Sequence, residues 1–147
     1  MRRFKDRFER TIQLKEPQLR QLEVDLNRQR QIVTETRNTA VRLHEELSAT
    51  ADAIHEQTSV ADGHSLWIRL SAASNLKTQL GLAHESLRKE TVELQRRQAE
   101  YARLSSQLEA LKVVQRQRMA EHRAREGRAR QREMDDMAMS RWSRTMR

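Results

Sequence analysis

Residues 66–111 read LWIRLSAASNLKTQLGLAHESLRKETVELQRRQAEYARLSSQLEAL, and the spacing of apolar residues in this stretch decides the fold. Every seventh residue is Leu66, Ala73, Leu80, Leu87, Leu94, Tyr101 and Leu108, and an offset series adds Leu76, Ala83, Leu104 and Leu111. A seven-residue repeat of this kind is the seam of a coiled coil, so the stretch is one long helix with a single apolar edge. Arg, Glu, Gln and Ser coat the rest of its surface. A helix with so narrow an edge gains too little from burial to stay folded alone in water, and it needs a matching helix.

The first part of the chain supplies one. Ile12, Leu19, Leu26, Val33, Ala40, Leu47 and Ile54 are spaced by seven without a break. The second seam position reads Phe8, Lys15, Leu22, Gln29, Thr36, Leu43 and Thr50, which is only partly apolar and favours a two-helix contact over a wide multi-helix core. Pro17 lies inside this segment, but the seam keeps its phase across it, so a kink is expected and not a break. Between the two ladders, Thr58-Ser59-Val60-Ala61-Asp62-Gly63-His64-Ser65 has no periodicity. Gly63 offers a permissive backbone, and Asp62 or Ser65 can cap the second helix. A connection this short turns the helices back antiparallel.

The expected fold is therefore all-α, a long two-helix antiparallel coiled-coil hairpin forming a single domain over residues 1–147. Its helices are placed at about 3–57 and 66–140, with a turn at 58–65. A turn centred near residue 62 or 63 sets Gln29 and Thr36 opposite Arg97 and Glu90, as polar layers that fix the register.

The composition agrees with this reading: among 147 residues there are 3 Gly, 1 Pro and 3% aromatics, with 34% charged, as in a coiled coil and unlike a compact globule. Disorder does not explain a Leu at every seventh position. Cysteine is absent, which excludes disulfides and fits a reducing cytoplasm. No apolar run follows the basic start, and none approaches the roughly 18 residues of a membrane span, so a soluble, cytoplasmic protein is expected. The net charge of +8 sits at the chain ends: residues 1–10 carry +3, residues 116–147 carry +5, and the rest is balanced.

Pairing outward from the turn exhausts the first helix near residues 118–122. There the seam also fails, reading Arg118, His122, Arg125, Ala129, Arg132, Asp136. Residues 115–132 remain rich in helix formers, with Gly127 as the weak point, so the second helix should overhang its partner from about residue 120. The overhang would be some 25 residues, or about 40 Å. Met134, Met137, Ala138 and Trp142 fall on one face of it.

Catalysis is not expected. His44, His55, His64, His84 and His122 show no close metal-ligand spacing, there is no Gly-rich phosphate loop, and a helix pair has no cleft to desolvate a reacting group. No cofactor, metal or small-molecule substrate is implied. As a nucleic-acid site, the basic end has its Arg residues spread around the helix, interleaved with Glu121 and Glu126, and no aromatic platform among them. As a protein-docking end it fits better, because Met, Trp and Arg are enriched at interface cores. Leu66-Trp67-Ile68 beside the turn is either a cap over the hairpin end or a second contact. A basic helical nucleic-acid binder and a self-associating parallel coiled coil are the alternatives from other classes.

The opening Arg3-Phe4-Lys5-Asp6-Arg7-Phe8-Glu9-Arg10-Thr11-Ile12-Gln13-Leu14-Lys15-Glu16 resembles the basic, Phe/Leu-spaced start of the flagellar export protein FliJ family, which is related to YscO-type proteins. Trp67-Ile68 is similar to that family's Trp-Ile just after the turn. The ending Arg130-Gln131-Arg132-Glu133-Met134-Asp135-Asp136-Met137-Ala138-Met139-Ser140-Arg141 resembles its C-terminal stretch. The resemblance implies a non-catalytic, cytoplasmic component of the flagellar type III export apparatus, peripheral at the inner membrane when assembled and so needed for flagellum biogenesis and motility. Such a protein would stand in the central pore of the hexameric export ATPase, much as the gamma stalk does in rotary ATP synthases. It would link that ring to the membrane export gate and escort export chaperones. Arg3, Phe4, Arg7, Phe8, Arg128, Arg132, Met134, Asp135, Met137, Arg141 and Trp142 would face the ATPase. Leu66, Trp67, Ile68 and Leu70 would lie toward the gate.

Overall fold

The computed structural model describes residues 6–57 and 62–146. Two helices, α1 (Glu9–Gln57) and α2 (Gly63–Thr145), account for nearly all of them and pack against each other as a hairpin, with no strand among the described residues. The fold is all-α. No helix is long and apolar enough to cross a membrane among the described residues.

The helix ends differ from the sequence expectation for local reasons. α1 begins at Glu9, and residues 3–5 of the expected helix lie outside the described residues. The Asp6 carboxylate accepts the Phe8 N–H at 2.9 Å, a side-chain bond that competes with helical pairing, and the first helical bond runs from Ile12 N–H to the Phe8 carbonyl at 2.8 Å. α2 begins at Gly63, because the Leu66 N–H donates to the Asp62 carbonyl at 3.1 Å. Asp62 thus holds the cap position, and Ser65 lies inside the helix. At the far end α2 runs on to Thr145, where the Ser143 and Thr145 hydroxyls donate to the Ser140 and Arg141 carbonyls at 3.1 and 2.7 Å. Of the expected turn, residues 58–61 lie outside the described residues.

Pro17 sits within α1, which continues through it. The missing N–H deprives the Gln13 carbonyl of its helical donor, and both residues are exposed, so water can take that place. Pro17→Ala restores the bond. It is expected to raise the thermal midpoint, from a gain of up to about 3 kcal/mol, read by circular dichroism.

The chain divides into two compact units, Arg20–Ala102 and the pair Met1–Leu19 with Arg103–Arg147. In Arg20–Ala102 the seam is buried where the heptads place it: Leu26, Val33 and Ala40 are each 4% exposed, and Leu43 is buried beside them. Leu80, Leu87, Leu94 and Tyr101 of α2 are half-buried, as expected of a seam with only two helices to cover it.

One polar residue interrupts this seam. Gln29 is 3% exposed, and its side-chain amide donates to the Glu90 carbonyl at 3.1 Å and to the Glu90 carboxylate at 2.5 Å. The polar layer is real, but its register is one heptad away from the sequence reading. Gln29 meets Glu90, Thr36 donates to the Ile32 carbonyl at 2.8 Å, and Arg97 pairs with Glu93 of its own helix at 3.0 Å. α2 starts three residues earlier than expected, at Gly63. A buried amide of this kind fixes register at some expense of stability. Gln29→Leu is expected to raise the thermal midpoint slightly while broadening the oligomeric distribution, which light scattering after size exclusion would detect.

Candidate docking site

The start of α1 and the second half of α2 form the other unit. Among the described residues, Ile12 and Leu108 are its buried ones, 7% and 3% exposed. Around them polar groups tie the two helices together. The Asp6 carboxylate accepts the Gln115 side-chain amide, Lys112 pairs with Glu16 at 3.1 Å, and the Lys15 ammonium donates to the Gln107 side-chain Oε1 at 3.3 Å. The Arg118 guanidinium lies 4.8 Å above the centre of the Phe8 ring, a cation–π contact.

Beyond Arg118 burial falls away. His122 and Glu126 are the last half-buried residues, 3.9 Å apart and one turn from each other, and from Gly127 to Met146 every residue is exposed. Within that run Met134 is 61%, Met137 55% and Trp142 60% exposed. The Asp135 carboxylate accepts the Gln131 amide at 3.0 Å, which holds it on the helix surface. Arg128, Arg132 and Arg141 are exposed on the same helix.

The sequence-derived residues therefore separate in the structure. Arg7 and Phe8 stand at the start of α1, and Phe8 meets α2 through Arg118. Arg128, Arg132, Met134, Asp135, Met137, Arg141 and Trp142 follow one another along the exposed end of α2. Arg3 and Phe4 lie outside the described residues. Met139 and Met146 were missed, yet they are as exposed as the others. Their spacing from Trp142, three before and four after, places all three on one helix face and was the available signal.

In the unit Arg20–Ala102, Leu66 is half-buried on the seam, while Trp67, Ile68 and Leu70 are 66%, 50% and 52% exposed. Nearby, Arg69 reaches across to the Ala53 carbonyl at 3.5 Å. Further along α2, Arg96 and then Arg97 bond the Glu93 carboxylate and hold it down at about 2. Among the described residues no group of three His, Asp or Glu is placed to hold a metal ion.

The chain matches the family described as Flagellar FliJ protein over residues 4–147. It belongs to the FliJ family. Neither the curated proteins nor the solved structures contain a match. As a FliJ-family chain it is a flagellar export-related protein, and the helical hairpin is the scaffold on which its exposed segments are displayed.

Proposed function

We propose that this FliJ-family chain is a non-catalytic structural component of the flagellar type III export apparatus that couples the hexameric export ATPase to the membrane export gate. The observation that carries the reading is the run from Gly127 to Met146, helical almost to its end, exposed throughout, and holding Met134, Met137, Met139, Trp142 and Met146 among arginines. Large apolar groups on an exposed helix gain nothing from burial until a partner covers them. Met, Trp and Arg are the residues that interface cores favour.

On this reading the end of α2 enters the pore of the ATPase ring. Arg128, Arg132, Met134, Asp135, Met137, Arg141 and Trp142 make the contact, with Arg3, Phe4, Arg7 and Phe8 beside it. Leu66, Trp67, Ile68 and Leu70 face the export gate, where their exposed apolar surface would be covered. The protein then works at the cytoplasmic face of the inner membrane, and handing over export chaperones belongs to the same position.

Size exclusion of the chain mixed with the export ATPase tests this. Co-elution with the hexamer is the expected result, and separate elution at micromolar concentrations of both would overturn it. Binding to DNA or RNA with a steep loss of affinity in salt would instead favour the nucleic-acid reading.

A further inference from the structure

The unit that joins the start of α1 to the second half of α2 contains an open groove of about 400 Å³ that none of the docking contacts above uses as a whole. Phe8, Thr11 and Lys15 line it on one side, and Ala110, Leu111 and Val114 on the other. The floor is the ring of Phe8, methyl groups and the aliphatic stem of Lys15, so little in it asks for water.

A cation is fixed at each end. At one end the Lys15 ammonium is held by Gln107 at 3.3 Å, and at the other the Arg118 guanidinium is stacked 4.8 Å from the Phe8 ring centre. Phe8 and Lys15 are seven residues apart, about 10 Å along a helix. Exposed Arg7 and Arg103 lie four residues before Thr11 and Gln107, on the faces that form the rim, and add to its positive charge. Glu121, one helical turn beyond Arg118, is already engaged by Arg125 at 3.9 Å.

We propose that this groove receives two turns of an acidic amphipathic helix from a partner protein. Two carboxylates seven residues apart on that helix would meet Lys15 and Arg118, and Leu or Phe at the third and fourth positions after the first would fill the floor. Seven residues of helix span the same 10 Å as the two cations' anchors, which sets the motif's length. A second copy of this chain is the wrong occupant, because its exposed terminal segment carries the same sign, +5 over residues 116–147.

Fluorescence anisotropy with the full chain tests this, using a labelled helical peptide that carries Glu at positions i and i+7 and Leu at i+3 and i+4. The peptide is expected to bind, and replacing both Glu by Lys or both Leu by Ala should weaken binding at least tenfold. Ala110→Arg fills the groove from an exposed helical position and should weaken it at least tenfold. Arg118→Glu should do the same and restore binding to a peptide with Lys at the facing position. Met134→Ala with Met137→Ala and Trp142→Ala should leave the affinity unchanged, which separates this groove from the ATPase contact. Failure of the Glu/Leu peptide to bind at millimolar concentration, equal binding of the Lys peptide, indifference to both groove variants, or loss in the Met/Trp variant would each overturn the proposal. None of these readings depends on whether the export ATPase is bound.

Discussion

Leu108→Asp is expected to melt the pairing between the start of α1 and the second half of α2, lowering the thermal midpoint by roughly 10 °C. Leu108 is the least exposed of the described residues of that unit, at 3%, and Ile12 is buried in the same unit. A carboxylate there must leave water without a designed partner, at a cost of several kcal/mol against a total of about 5–15 for a domain. Lys15 and Lys112 are close in sequence or across the pair, but both are already bonded, to Gln107 and Glu16. Leu82→Asp is the matched control. That residue is on the same helix but 62% exposed, and its substitution should shift stability by no more than about 0.5 kcal/mol. Circular dichroism of the two variants side by side reads the difference directly. Equal melting of both would mean that the heptad seam does not hold the helices together.

The second large effect is on binding. Met134→Ala, Met137→Ala and Trp142→Ala in one chain should weaken the complex with the export ATPase about 100-fold or more, since truncating a Trp at an interface centre alone commonly costs 2 kcal/mol or more. Because all three side chains are more than half exposed and Ala is the best helix former, helix content should not fall. Loss of binding with an unchanged dichroism spectrum is the expected pair of results, measured by titration calorimetry and dichroism on the same preparation.

The seam was legible because its physics is one-dimensional. The apolar series from Leu66 to Leu108 of α2 and the series from Ile12 to Ile54 of α1 can bury an edge only by pairing, and Leu26, Val33, Ala40 and Leu108 are buried as that requires. Register was harder. It depends on how many residues the connection consumes, and Gly63 inside α2 reads in sequence like part of a turn; the Gln29 layer was foreseen, but its partner Glu90 was not.

The candidate docking surfaces were legible only as composition. Met134, Met137 and Trp142 stood out because a failing seam left them nothing to pack on, whereas Met139 and Met146 share a face only with Trp142 and not with Met134 and Met137. The groove between Thr11 and Val114 was not legible at all. It arises where Ala110 and Thr11 are small, and which small residues face each other is fixed by the register.

Hydrogen exchange of the chain alone and in complex with the export ATPase tests the central claim most directly, because it reports every backbone amide of both helices at once. The account predicts new protection concentrated in residues 127–146, the segment exposed throughout in the free chain, with amides in Arg20–Ala102 exchanging as before. Protection confined to Arg20–Ala102, with residues 127–146 unchanged on binding, would contradict it.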